Sequence, residues 1–125
     1  MKKSVVLLIV MFLSVVTVLV IAQNKNSSKS VWNYEVPQAP YGYDKGKLII
    51  TDNNNSISGE VEISSGYKIK MNEVSLIKDT LKGVVYIDNE LVRLKGNVKD
   101  TIIVGTADTS MGLLKFRAIK EVNSN

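Results

Sequence analysis

Four aromatic side chains, Trp32, Tyr34, Tyr41 and Tyr43, fall within twelve residues of one another, around Pro37, Pro40 and Gly42. A ring with a hydroxyl or N–H edge offers a flat apolar face and one polar handle. Such groups grip a small apolar ligand, a glycan or a protein partner. The same residues have a structural use: Trp32 and Tyr34 can plug the end of a β-barrel, with Tyr41 and Tyr43 folded over it as a lid. Both readings stand on the sequence.

Other residue types with chemical potential are weaker in arrangement. Glu60 and Glu62 share one face of a strand, and carboxylates about 5–9.5 Å apart across a sugar cleft hydrolyse glycosides; here the pair is expected to face water. Asp52 to Ser56 resembles the start of a calcium loop, but Ile57 and Ile63 stand where that loop needs glycine and glutamate. Ser64 and Ser65 lie near Lys68 and Lys70, the residue types of a Ser-Lys nucleophile, without a glycine-framed turn to present the hydroxyl. Asn26-Ser27-Ser28 and Asn54-Asn55-Ser56 are formal N-glycosylation acceptors.

Absent residue types exclude more. The 125-residue chain has no cysteine and no histidine. That rules out disulfides, thiolate metal sites, cysteine nucleophiles, imidazole bases and histidine ligands. No catalytic residue, metal site or cofactor is assigned. The net charge is +4, half of it from Lys2 and Lys3. The other lysines are scattered, so no nucleic-acid partner is expected.

Met1-Lys2-Lys3 is a basic start, and Ser4 to Ala22 is uncharged and rich in Val, Leu and Ile. This is the layout of a signal peptide, residues 1–22, with cleavage between Ala22 and Gln23. The run is longer than the ~7–15 apolar residues usual for a signal and approaches the ~20 that span a bilayer. An uncleaved membrane anchor is therefore the alternative, and would be the chain's only membrane contact. Both place the remainder outside the cytoplasm, in the periplasm or the extracellular space. Residues 23–30 read as a flexible spacer, 31–121 as the domain, and 122–125 as a polar tail.

The domain reads as strand after strand. Trp32, Tyr34 and Val36 alternate with polar residues, as do Ile57, Gly59, Val61 and Ile63. Further strands are expected over 46–51, 67–77, 80–87, 91–98, 101–107 and 113–119. In the fourth, Ile69 and Met71 share one parity but Val74 and Leu76 share the other, which predicts a bulge or bend near Asn72. Short connections favour an all-β, eight-stranded antiparallel up-and-down meander behind an N-terminal hydrophobic helix. Gly59, Gly83, Gly96 and Gly105 sit inside strands and favour a short closed barrel over a β-sandwich. Leu48, Ile50, Val61, Ile63, Val85, Leu94, Val104 and Phe116 are expected to point inward and fill most of it.

The opening Trp32-Asn33-Tyr34-Glu35-Val36-Pro37-Gln38-Ala39-Pro40-Tyr41-Gly42-Tyr43, followed by Gly46-Lys47-Leu48-Ile49-Ile50, resembles that of small lipocalin-like β-barrel domains of secreted Gram-negative bacterial proteins. Ile57 to Val61, the Thr109-Ser110-Met111-Gly112 turn and Phe116-Arg117-Ala118 extend the likeness over Val31 to about Lys120. The resemblance implies fold and export; the family brings no settled activity.

The expected function is an exported, non-enzymatic binding or accessory module of the bacterial envelope. Its partner would be a small apolar ligand, an envelope component or another exported protein. A protease-inhibitor-like interaction domain acting through residues 37–43 is the alternative, and an enzyme using carboxylates or a Ser-Lys pair is the third.

Overall fold

A computed structural model describes residues 27–122, all strands and turns. The hydrophobic leader, with its expected helix and Ala22-Gln23 junction, lies outside the described residues. Nine antiparallel strands form one sheet: β1 (Ser28–Glu35), β2 (Lys45–Asn53), β3 (Ser56–Ile63), β4 (Lys68–Lys70), β5 (Asn72–Ile77), β6 (Thr80–Ile87), β7 (Glu90–Lys99), β8 (Ile102–Thr109) and β9 (Gly112–Lys120). The order is β4-β3-β2-β1-β9-β8-β7-β6-β5. Every neighbour is sequential except β1 and β9, whose pairing joins the two ends of the meander. The sheet is curled into a nearly closed barrel rather than split into the facing layers of a sandwich.

Nine strands appear where eight were expected because the fourth divides at Met71. Its first half pairs with β3 and its second with β6. One continuous segment is thus handed across the seam, and the Met71 N–H donates to the Gly59 carbonyl at 2.9 Å. The register then shifts between Asn72 and Ser75, where one extra residue is absorbed. Glu73 takes a left-handed φ of 52° there, the conformation of a glycine-type bulge. The parity slip from Met71 to Val74 marks this bulge.

Met71 is only 3% exposed. Its thioether occupies space left open by two glycines. A Cβ on Gly59 would stand 2.9 Å from the Met71 sulfur, and one on Gly83 would stand 2.3 Å from its Cε. On the neighbouring strands Gly96 and Gly105 face each other across β7 and β8. Ile103 and Phe116 close over Gly96. The mid-strand glycines therefore sit where the interior is most crowded.

The core runs along the inside of the sheet and includes Trp32, Leu48, Ile50, Val61, Val85, Ile103 and Phe116. Ile63 and Leu94 pack against it half-buried. Val104 does not belong to it: it is 59% exposed and points outward. Ile102, Ile103 and Val104 form an unbroken apolar run, and the inward parity of β8 falls on Ile103, Gly105 and Ala107. The boundary of the domain also moves. β1 begins at Ser28, so the last three residues of the stretch read as a spacer pair with Asp52, Thr51 and Ile50 of β2.

In a meander the first, third, fifth and seventh hairpin connections gather at one end. Here these are residues 36–44, 64–67, 88–89 and 110–111. The start of β1 and the finish of β9 leave from the opposite end.

Candidate functional site

Beneath those four connections lies an apolar cavity of about 200 Å³. Its walls are the inward faces of the strands, including Leu48, Val61, Val85, Val92, Leu94, Ala107, Leu114 and Phe116. Ala39, Pro40 and Tyr43 roof it from the β1–β2 loop, Met111 from the β8–β9 turn. The barrel interior is thus filled in one part, by Trp32, Ile50, Met71, Leu81 and Ile103, and hollow in the other. This differs from the expectation that large side chains would occupy most of it. Short side chains interrupt the wall: Val36, Val61, Val85, Val92 and Ala107 stand among its leucines and Phe116.

The aromatic group divides. Trp32 is 5% exposed and belongs to the packed interior, with its indole N–H donating to Ser30 Oγ at 3.0 Å. Lys120 Nζ stands 5.9 Å from the ring centroid. Tyr34 reaches the cavity wall, and its hydroxyl approaches the Tyr43 carbonyl at 3.5 Å. Burial, and then the negative charge of Asp44, push the Tyr34 hydroxyl up to about 12. It is a neutral hydroxyl at physiological pH.

Tyr41 and Tyr43 part company because of the turn between them. The Tyr43 N–H donates to the Pro40 carbonyl at 3.0 Å, and Gly42 takes φ 96° at the third position. Glycine there permits the left-handed corner. Tyr41 is left at the apex and is 98% exposed, so the expected lid role fails for it. Tyr43 turns inward over the mouth and donates its hydroxyl to Asp88 Oδ2 at 2.8 Å. That bond holds the β1–β2 loop to the β6–β7 turn across the opening. Accepting it, Asp88 raises the Tyr43 hydroxyl above the usual tyrosine range.

The loop itself is internally tied. The Val36 N–H donates to the Asp44 carbonyl at 2.7 Å and the Ala39 N–H to the Val36 carbonyl at 3.0 Å. Ser64 fastens it sideways, its N–H to the Gly42 carbonyl at 3.4 Å and its hydroxyl to the Lys45 carbonyl at 2.8 Å. Ser64, one of the two candidate nucleophiles, thus spends its hydroxyl proton on the backbone.

Two carboxylates at the mouth were not singled out in the sequence. Asp88 and Glu90 both line the cavity. Glu90 accepts the Ser110 N–H, and hydrogen bonding from Ser110, its side chain first and then its backbone, holds the Glu90 carboxyl below the usual range. The signal that could have found them is hairpin parity: the Asp88-Asn89 turn is two connections away from the loop at 64–67, and so on the same end as Tyr43. Both turn residues take left-handed φ, 50° and 64°, the two-residue hairpin geometry that Asp and Asn favour.

Glu60 and Glu62 stand on the outer face of β3, opposite Lys70 and Lys68 of β4. They are register neighbours of opposite charge, away from the cavity. A second depression lies on the outer face among Asn33, Lys45, Lys47, Glu62 and Arg117. It is a charged, solvent-open furrow. The apolar cavity inside the barrel is the better ligand site because its walls would shield the body of a guest from water. Among the described residues, no cluster of three or more metal-ligating side chains forms.

Comparison with protein-family models, with curated proteins and with solved structures found no match.

Proposed function

We propose that the protein is an exported, non-enzymatic binding module of the bacterial envelope, a lipocalin-like barrel that takes a small apolar ligand at its mouth. The observation that carries this reading is the 200 Å³ cavity walled by aliphatic side chains under a tied loop. An apolar cavity of about 150 Å³ is large enough to take a benzene ring. The space therefore suits a single ring or a short alkyl chain. The basic start and apolar run of residues 1–22 support export. A retained anchor would hold the barrel by the end opposite its mouth.

Ala107 tests the cavity directly. It is buried in the wall between Leu94 of β7 and Leu114 of β9. Ligand-observed NMR with toluene should show saturable binding to the parent protein, and Ala107→Leu should abolish it while the fold is retained. Absence of binding to the parent protein would overturn the ligand reading.

One observation favours a second reading, contact with another exported protein. Tyr41 projects fully from the mouth, and Tyr67, Met111 and Leu113 are exposed at the same end. Loss of a stable partner on Tyr41→Ala, with toluene binding intact, would support it.

A further inference from the structure

The cavity wall is apolar, but its rim carries charge of one sign. Asp88 and Glu90 line the mouth, and among the described residues no lysine or arginine lines the cavity. Asp44 adds to this field, since its charge is felt at the Tyr34 hydroxyl inside the site. The cations nearest the rim in sequence, Lys45, Arg93 and Lys115, stand on the outer faces of their strands. A guest whose ring or chain enters the cavity must leave its polar head among these carboxylates. Each carboxylate has spare acceptor capacity. Asp88 receives the Tyr43 hydroxyl on Oδ2 and Glu90 receives the Ser110 N–H on Oε1, and an ionised carboxylate has two oxygens that accept more than one bond each.

We infer that the site selects small amphiphiles with a cationic head, single-ring or short-chain amines, over carboxylic acids built on the same body. The inference rests on the proposed ligand site. Three physical terms point one way. An ammonium group gains Coulomb energy from the rim, whereas a carboxylate is repelled by it. An ammonium has only donors to offer, which matches a rim of acceptors. The face of Tyr43, held across the mouth, adds an aromatic surface that attracts cations. The cavity size limits the apolar body to about one ring. A long-chain fatty acid fails on both counts, since its tail exceeds the space and its head meets like charge.

The test is a matched series of 2-phenylethylamine, 2-phenylethanol and 3-phenylpropanoate, titrated by ligand-observed NMR at low ionic strength and pH 7. The amine should bind about tenfold or more tighter than the acid, with the alcohol between them, and the gap should shrink as salt is added. Asp88→Asn and Glu90→Gln remove charge but keep an oxygen to accept the Tyr43 hydroxyl and the Ser110 N–H, so the lid and turn are preserved. In the double variant the amine should weaken at least fivefold and the acid should strengthen. Equal affinity of amine and acid, or a parent order unmoved in the double variant, would overturn the head-group assignment and leave the cavity reading intact. Failure of all three compounds, and of toluene, would overturn both.

Discussion

Met71 joins the two halves of the barrel, and a double substitution measures how. Truncation to alanine removes a side chain that is 3% exposed and packed between Gly59 and Gly83. Large-to-small changes of this kind cost roughly 2–5 kcal/mol, and a site walled by glycine backbone collapses poorly, so about 3 kcal/mol is expected. A domain of about 100 residues has about 5–15 kcal/mol in total, which makes this a large loss. Gly83→Ala alone puts a methyl 2.3 Å from the Met71 Cε. Because that atom is the free end of a flexible chain, the clash costs roughly 1 kcal/mol, offset by about 0.5–1 kcal/mol from replacing a mid-strand glycine. With Met71 truncated the clash disappears. The new Cβ then has only Val74 Cγ2 at 3.7 Å and the Asn72 carbonyl oxygen at 3.9 Å, ordinary contacts. Gly83→Ala should therefore be near neutral in the parent and stabilising in Met71→Ala, with a coupling of about 1–2 kcal/mol. Urea unfolding followed by fluorescence reads this directly, because Trp32 is the only tryptophan and is buried. Additivity of the two changes to within about 0.5 kcal/mol would refute the packing argument.

Alkaline stability should depend on Tyr34. Its hydroxyl is raised from 10 to about 12, so the unfolded chain loses this proton first and stability falls as pH rises from 10 to 12. At about 1.4 kcal/mol per pH unit the full effect would be near 3 kcal/mol, and partial exposure with solvent screening reduces it to about 1 kcal/mol. Tyr34→Phe should flatten that part of the pH–stability curve and remove the last phenolate to appear by ultraviolet absorbance; an unchanged curve would count against a buried hydroxyl. The Lys78-Asp79 hairpin takes left-handed φ at both residues, 48° and 66°. Replacing the pair by Asn-Gly, the sequence such turns favour, should raise the urea midpoint by an amount worth about 0.5–1 kcal/mol. A lowered midpoint would show that the turn is not of this type.

Much of the fold is legible because each strand has one wet face. Val61 and Ile63 against Glu60 and Glu62 fix the parity of β3 without reference to anything else. The slip between Met71 and Val74 is legible for the same reason, since a bulge is the cheapest way to keep both halves of a strand facing inward. Legibility ends where alternation does. Ile102, Ile103 and Val104 satisfy either parity, and the choice is made across the barrel. Gly105 must face Gly96 so closely that a Cβ on Gly105 would stand 2.1 Å from the Lys95 carbonyl oxygen, and that places Ile103 inside.

The site is less legible than the fold because it is a difference between neighbours. Nothing about Val36, Val61, Val85, Val92 or Ala107 taken singly distinguishes a cavity wall from a packed core. They leave a space because short side chains from four strands and the β1–β2 loop meet at one end, while Trp32, Met71, Ile103 and Leu81 meet elsewhere inside the same barrel. Tyr41 and Tyr43 are equally opaque as a pair; Gly42 decides between them by fixing the corner of the turn. What the sequence does hold is hairpin parity. Alternate connections share an end, so the loop bearing Tyr43 must meet the turn bearing Asp88, forty-five residues away. That pairing ties the roof of the cavity to its charged rim. The contact that closes the site is thus made by one of the carboxylates that would receive the head of its guest, so an amine at the rim would share Asp88 with the Tyr43 hydroxyl, which occupies one of its two oxygens.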